Sequence, residues 1–244
     1  MKADPSSSPG DCTESIRSRS SEAMAATPTS PDRLVFEREW WARGTLRVAG
    51  IDEAGRGPLA GPVVVAAVIL PANWADAGIP EEYRELNDSK QLSQRARDRF
   101  FEQLISDSRV AHSIAEIGHE VIDRINILAA THHGMNEVLK RLSPAAEHAL
   151  VDGTRVPSLT CPHTALVRGD SRSYSIAAAS VLAKVTRDRR MIEADRFFPQ
   201  YGFARHKGYP TPDHLEAVKR HGPCPIHRRS YAPLRQPDPE LFPR

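Results

Sequence analysis

The chain has 244 residues, of which 40% are hydrophobic and 26% are charged, proportions typical of a soluble domain with one sizeable core. No apolar run approaches the ~20 residues that a membrane span needs, and the N-terminus lacks the apolar segment of a signal peptide. Three cysteines are too few for a disulfide framework, so we expect a cytoplasmic protein with no membrane association.

Net charge is only +2, but it is distributed unevenly. Residues 168–244 contain 15 Lys and Arg against 8 Asp and Glu, a charge of +7, whereas the rest contains 18 against 23, a charge of −5. A basic part beside an acidic part predicts a polyanion-binding surface next to a cation-binding site. The alternative is an uneven but functionless solvated surface.

In chain order, residues 1–31 come first, and they are rich in Ser, Thr, Pro and Ala without apolar periodicity, which predicts a disordered tail. An amphipathic segment at 34–41 follows. Two apolar runs, 47–51 and 63–70, predict strands, and the short Gly/Pro-rich turn between them favours an antiparallel pair.

A helix is predicted over Ser93–Ile105, with Ser93 as its N-cap and Phe100, Leu104 and Ile105 as its apolar positions. The remaining predicted elements are strands at 110–117, 149–152 and 165–167, two helical pieces within 121–142, and helices at 173–190 and 212–220. The pattern predicts one mixed α/β domain over residues 32–244, with a small helical C-terminal extension.

Acidic residues stand where predicted elements begin or end. Asp52 and Glu53 end the first strand, Asp152 ends the strand at 149–152, and Asp170 precedes the long helix. Burying such charges costs several kcal/mol unless a divalent metal neutralises them. Because neighbouring strand residues point to opposite faces, Asp52 and Glu53 share a site only if the backbone turns sharply there. Turn and helix-cap roles are the alternatives.

Basic and aromatic residues accompany these acids in the C-terminal part. The long helix carries Lys184, Arg187, Arg189 and Arg190, which predict either phosphate contacts or a solvated face. We interpret Asp188 as structural, paired with the flanking arginines. Tyr209 stands in a basic Gly/Pro loop, which suits nucleotide stacking or packing onto its own domain.

Taken in order, these segments resemble ribonuclease HII. The resemblance runs from about Val48 to Pro233, and its motifs are Asp-Glu-Ala-Gly-Arg-Gly-Pro-Leu-Ala-Gly-Pro at 52–62, Asn-Asp-Ser-Lys at 87–90, Val-Asp-Gly at 151–153, Gly-Asp at 169–170, Ser-Ile-Ala-Ala-Ala-Ser at 175–180 and His-Lys-Gly-Tyr at 206–209. It implies a ribonuclease H-like fold, which is a mixed central sheet flanked by helices. It also implies that Asp52, Glu53, Asp152 and Asp170 are catalytic carboxylates that bind Mg²⁺ or Mn²⁺ in a two-metal site.

The resemblance further implies a substrate and the residues that bind it. The backbone of Gly55, Arg56 and Gly57 would read the ribose 2′-OH beside the scissile phosphate, and Tyr209 would stack on the sugar of the next nucleotide. Ser89, Lys90 and Lys184 are the other expected substrate contacts. Small departures are Gln91 and Arg168, each of which stands where the family commonly has Lys.

The implied activity is that of a type 2 ribonuclease H, expected to be a monomer. It would hydrolyse the RNA strand of RNA–DNA hybrids and nick ribonucleotide-containing duplex DNA 5′ of the ribonucleotide, leaving 5′-phosphate and 3′-hydroxyl ends. The short, low-complexity tail argues against the sister family ribonuclease HIII, which has a folded N-terminal domain.

Two alternatives stay open on the residues alone. A non-catalytic module that binds RNA–DNA hybrids would need the basic half but not the four acids. A different two-metal nuclease on the same fold would keep the acids but have no reason for the Gly-Arg-Gly loop or Tyr209.

Overall fold

The structure, a computed structural model, describes residues 32–235. The predicted disorder of residues 1–31 lies outside this range. The strands are β1 Val48–Ala54, β2 Val63–Ile69, β3 Ala111–Ile117, β4 His148–Asp152 and β5 His163–Leu166. The helices are α1 Val35–Trp41, α2 Trp74–Ala77, α3 Gln94–Ser106, α4 His119–Ile125, α5 Ile127–Arg141, α6 Tyr174–Phe197, α7 Phe203–His206 and α8 Pro212–His221.

The five strands form one mixed sheet in the order β3-β2-β1-β4-β5. β2 pairs antiparallel with both β1 and β3, whereas β4 runs parallel to β1 and to β5. The predicted mixed sheet and the antiparallel first pair are confirmed. β2 is buried along its whole length, as its unbroken apolar run predicts, because helices cover both faces of the sheet.

Helix α6 crosses one face of the sheet at very short range. A Cβ on Gly50 of β1 would lie 2.1 Å from the backbone carbon of Ser175, so only glycine allows this approach. The small buried residues of α6, from Ala177 to Ala179, continue the contact. α6 ends at Phe197, seven residues beyond its predicted end at Arg190.

Helix α3 confirms its predicted cap and corrects its predicted buried face. The Ser93 hydroxyl oxygen accepts a hydrogen bond from the Ala96 N–H at 3.2 Å. Phe100 and Leu104 are buried as expected, but the third buried position is Phe101, and Ile105 is 38% exposed. Five residues correspond to about 140° of rotation, which turns Ile105 away from the face of Phe100.

Among residues 32–235, none of the helices combines the length and the apolar character needed to cross a bilayer.

Candidate active site

Three carboxylates converge at one end of the sheet. β1 and β4 run in parallel with Ile51 opposite Val151, so the next residues, Asp52 and Asp152, emerge side by side. Asp170 joins them from the 3₁₀ turn Gly169–Ser171 that precedes α6. One carboxylate oxygen from each acid lies within 4.8 Å of the other two. We call this group the acid cluster.

Glu53 lies beside the acid cluster but outside the group of three. β1 continues to Ala54, which pairs with Val64 of β2, so the backbone does not make the sharp turn that a site shared by Asp52 and Glu53 would require. One Glu53 oxygen, Oε1, accepts a hydrogen bond from Arg56 at 3.1 Å. The other, Oε2, is buried without a hydrogen-bond partner among residues 32–235. Its role as a metal ligand stays a prediction.

Backbone groups hold the acid cluster in place. The Glu53 N–H donates to Asp52 Oδ1 at 2.7 Å, and the Gly169 N–H donates to Asp152 Oδ1 at 2.6 Å. The Lys90 ammonium forms an ion pair with Asp170, with its Nζ 3.7 Å from Asp170 Oδ2. The three carboxylates are therefore oriented before any ligand binds.

Burial makes the acid cluster resist full ionisation. Desolvation raises the pKa of Asp52 well above its ordinary value, and the negative charges of Glu53 and Asp152 add to this effect. Burial and the nearby Asp88 and Asp152 also raise the pKa of Asp170. A bound cation would reverse this effect by favouring the charged carboxylates.

The donor atoms fit a hard divalent cation. All of the clustered ligand atoms are carboxylate oxygens, and the unpartnered Glu53 Oε2 is a further buried acceptor close by. Oxygen-only sites favour Mg²⁺ or Mn²⁺, whereas zinc prefers nitrogen and sulfur.

The Gly-Arg-Gly loop and Tyr209 lie next to each other. Gly55 has a φ of +100°, and a Cβ there would lie 2.0 Å from Arg187 Nε, so the position requires glycine. A Cβ on Gly57 would lie 3.6 Å from Cε1 of Tyr209. Asp52, Glu53 and every predicted substrate-binding residue line one cavity, namely Gly55, Arg56, Gly57, Ser89, Lys90, Lys184 and Tyr209.

The family model described as ribonuclease HII matches residues 49–234. The chain belongs to the ribonuclease HII family. Ribonuclease HII of Geobacillus kaustophilus (strain HTA426) is 54% identical over 201 residues, which is 82% of this chain and 74% of the relative. Ribonuclease HII of Acholeplasma laidlawii (strain PG-8A) is 45% identical over 203 residues, covering 83% of this chain and 96% of the relative.

Solved structures agree with the assignment. The ribonuclease H2 from Pyrococcus horikoshii OT3 is 27% identical, with a TM-score of 0.63, and the match covers 78% of this chain and 95% of that one. The expected ribonuclease H-like fold, the enzyme class of a type 2 ribonuclease H and the cofactor class, Mg²⁺ or Mn²⁺, are confirmed.

Within this ribonuclease HII fold, the predicted phosphate contacts differ in accessibility. Lys90 is exposed beside the acid cluster. Ser89 is only 3% exposed, and its hydroxyl lies 2.8 Å from that of Ser180. Lys184 lines the cavity, and its Nζ lies 2.8 Å from Oδ1 of Asp188. Asp188 is therefore structural, as expected, but its partner is Lys184 rather than an arginine.

Arg187 of the ribonuclease HII fold is buried rather than solvated and lines the cavity, and its role as a phosphate contact stays a prediction. It is 1% exposed, and its guanidinium donates hydrogen bonds to the carbonyl oxygens of Ala60, Pro62 and Lys207. The burial of Arg187 could have been predicted from helical periodicity, because Arg187 follows Ala183 by four residues on the buried face of α6. Sequence reasoning also missed Arg228, which is fully buried beneath the Gly-Arg-Gly loop.

Proposed function

We propose that this ribonuclease HII, an endoribonuclease of RNA–DNA hybrids, also nicks duplex DNA 5′ of a single embedded ribonucleotide, through a two-metal mechanism that leaves 5′-phosphate and 3′-hydroxyl ends. The observation that supports this most is the placement of the Gly-Arg-Gly loop and Tyr209 in the same cavity as Asp52. Asp52 and the proposed recognition groups therefore face the same cavity.

The acids are proposed to hold the cofactor. Asp52, Asp152 and Asp170 would bind it, with Glu53 completing the set. When bound, two divalent ions supply charge neutralisation at the phosphate and a lower pKa for the attacking water. The backbone donors on Asp52 and Asp152 keep the carboxylates in one orientation, which reduces the cost of assembling the site. Lys90, exposed beside Asp170, offers a positive charge to a phosphate oxygen.

Backbone N–H groups are proposed to read the sugar. Arg56 and Gly57 line the cavity, and neither backbone N–H has a hydrogen-bond partner within residues 32–235. A ribose 2′-OH can accept such a bond, whereas a deoxyribose leaves the donors unsatisfied once water is displaced. Tyr209, which is 42% exposed beside Gly57, offers an apolar face to the next sugar.

Three matched duplexes test the proposal: all-DNA, DNA with one ribonucleotide, and an RNA–DNA hybrid. With Mg²⁺ or Mn²⁺ we expect cleavage of the last two only, with the nick 5′ of the single ribonucleotide, and no cleavage in EDTA. Cleavage of the all-DNA duplex would indicate a different two-metal nuclease. Binding without cleavage under every metal condition would indicate a hybrid-binding module.

A variant pair assigns the chemistry. Asp152→Asn should abolish cleavage and leave duplex binding, measured by electrophoretic shift, within a few-fold of wild type. The matched control is Asp76→Asn, which neutralises an exposed acid on α2 and should cleave normally. Full turnover by Asp152→Asn would overturn the assignment of the acid cluster.

We further propose that the protein acts as a cytoplasmic monomer. The two cysteines in residues 32–235, Cys161 and Cys224, are both free thiols, which suits a reducing compartment. Light scattering coupled to gel filtration should give a mass near the 27.0 kDa of one chain, and twice that mass would contradict the proposal.

A further inference from the structure

Arg228 is a fully buried cation whose partners lie in the substrate-binding loop. Its Nη2 donates to the Gly55 carbonyl at 2.6 Å, its Nη1 to the Arg56 carbonyl at 3.0 Å, and its Nε to the Gly61 carbonyl at 2.9 Å. The Tyr231 hydroxyl adds a second donor to the Arg56 carbonyl at 2.7 Å. One planar guanidinium therefore binds both ends of the loop.

The hydrogen bonds to the Gly55 and Arg56 carbonyls also determine where the N–H groups of the same peptide bonds point. In a trans peptide the C=O and the following N–H point in opposite directions, and the two peptide bonds that join Gly55, Arg56 and Gly57 are trans. Because the carbonyls of Gly55 and Arg56 face Arg228, the N–H groups of Arg56 and Gly57 face away from it. They are the two unpartnered N–H groups proposed to read the 2′-OH.

A buried arginine bound to carbonyl oxygens is a costly arrangement. Desolvating a guanidinium costs several kcal/mol, and the hydrogen bonds of the Arg228 guanidinium within residues 32–235 go to three carbonyls and one hydroxyl. A neutral side chain of similar size would avoid this cost in the core. The planar fork of donors, which lysine lacks, is what the loop geometry uses.

Tyr209 is connected to the Gly-Arg-Gly loop by further hydrogen bonds. Arg187 joins the loop base to the Tyr209 segment, since it donates to the carbonyls of Pro62 and Lys207 at 3.1 and 2.9 Å. The Leu59 N–H donates to the Gly208 carbonyl at 2.8 Å. The loop and Tyr209 therefore keep a fixed separation.

We propose that Arg228 is a positioning residue for ribonucleotide recognition: by holding the carbonyls of Gly55 and Arg56, it fixes the N–H groups of Arg56 and Gly57 toward the 2′-OH. Arg228 itself touches neither the substrate nor the acid cluster. This inference rests on the proposed recognition of an embedded ribonucleotide. It assigns that specificity to a side chain 173 positions away from the loop.

The test measures discrimination in binding rather than activity alone. Asp152→Asn serves as the background, so that cleavage does not interfere, and dissociation constants are measured in Mn²⁺ for duplexes with and without one ribonucleotide. Arg228→Lys keeps the charge but not the fork, and Tyr231→Phe removes one donor to the Arg56 carbonyl. The matched control is Arg229→Lys at the neighbouring, exposed arginine.

We expect the preference for the ribonucleotide duplex to fall roughly 10-fold in Arg228→Lys, as loss of one or two hydrogen bonds predicts, and by a smaller factor in Tyr231→Phe. Affinity for the all-DNA duplex and the Mn²⁺-induced shift in melting temperature should stay unchanged, as should both affinities of Arg229→Lys. Equal weakening toward both duplexes would show a merely structural role and overturn the proposal.

If Arg228→Lys does not fold, Tyr231→Phe decides alone, and an unchanged preference there overturns the proposal. Failure of the proposed function looks different. A background protein that binds both duplexes equally refutes ribonucleotide recognition itself, and the Arg228 assignment with it.

Discussion

The acid cluster stores electrostatic repulsion whenever no cation is bound. Its ligand oxygens lie within 4.8 Å of one another, and two full charges at that distance repel by about 3 kcal/mol at an effective dielectric constant of ~20. Protonation of Asp52, whose pKa is raised by burial, relieves part of this repulsion. We therefore expect Asp52→Asn to raise the free energy of unfolding of the metal-free protein by about 2 kcal/mol at pH 8, which is ~4–8 °C in melting temperature.

The effect should depend on pH in a defined direction. Burial and the neighbouring acids raise the pKa of Asp52 above its ordinary 3.8, so the folded protein retains a proton that the unfolded chain releases. Stability from this proton is fully present below about pH 4 and is lost as the pH rises through the raised pKa. Asparagine does not titrate, so the advantage of Asp52→Asn should be small at pH 4 and grow toward pH 8.

Urea denaturation in EDTA at pH 4, 6 and 8 measures the advantage, with Asp76→Asn as the exposed control. Adding Mn²⁺ should then reverse the order, because the wild type binds the ion more tightly and gains more stability from it. An advantage of equal size at pH 4 and pH 8, or none at pH 8, would refute repulsion as its cause.

Three further predictions concern stability. Gly50→Ala places a Cβ 2.1 Å from the backbone of α6 and should lower the free energy of unfolding by about 3 kcal/mol or more; a loss below 1 kcal/mol in urea denaturation would contradict that close approach. Phe100→Ala empties a fully buried position and should cost about 3–5 kcal/mol, measured in the same way, whereas a surface-like loss would show that α3 packs differently. Burial lowers the pKa of His227 from 6.5 to about 4. The free energy of unfolding should therefore fall by about 3 kcal/mol as the pH drops from 6.5 to 4. His227→Asn should flatten this pH dependence, and an unchanged dependence would assign it to other groups.

The positions of Asp52, Asp152 and Asp170 could be predicted from the sequence because each acid follows an apolar run or precedes a helix. The distances between their carboxylates could not be predicted. The parallel pairing of β1 with β4 joins segments about a hundred residues apart, and it leaves no local pattern. The end of β1 could not be predicted for a similar reason. Pairing with β2 extends β1 to Ala54, and the amino-acid sequence around Glu53 contains no pattern that shows where this pairing ends.

The buried arginines escaped prediction for a different reason. Arginine is almost never fully buried unless it has partners, and the partners of Arg187 and Arg228 are backbone carbonyls, which every residue possesses. The helical period signals that Arg187 is buried, but no side-chain pattern signals which carbonyls either arginine contacts. Only the tertiary fold brings these guanidinium groups to the loop.

The distance along the chain between Gly55 and Arg228 has a consequence for the order in which the molecule is completed. A protein is synthesised from its N-terminus, and the acid cluster is complete once Asp170 and the start of α6 have left the ribosome. Arg228 follows almost sixty residues later. Under the proposed roles, a nascent chain therefore contains the residues that cut before it contains the arginine that positions the recognition loop.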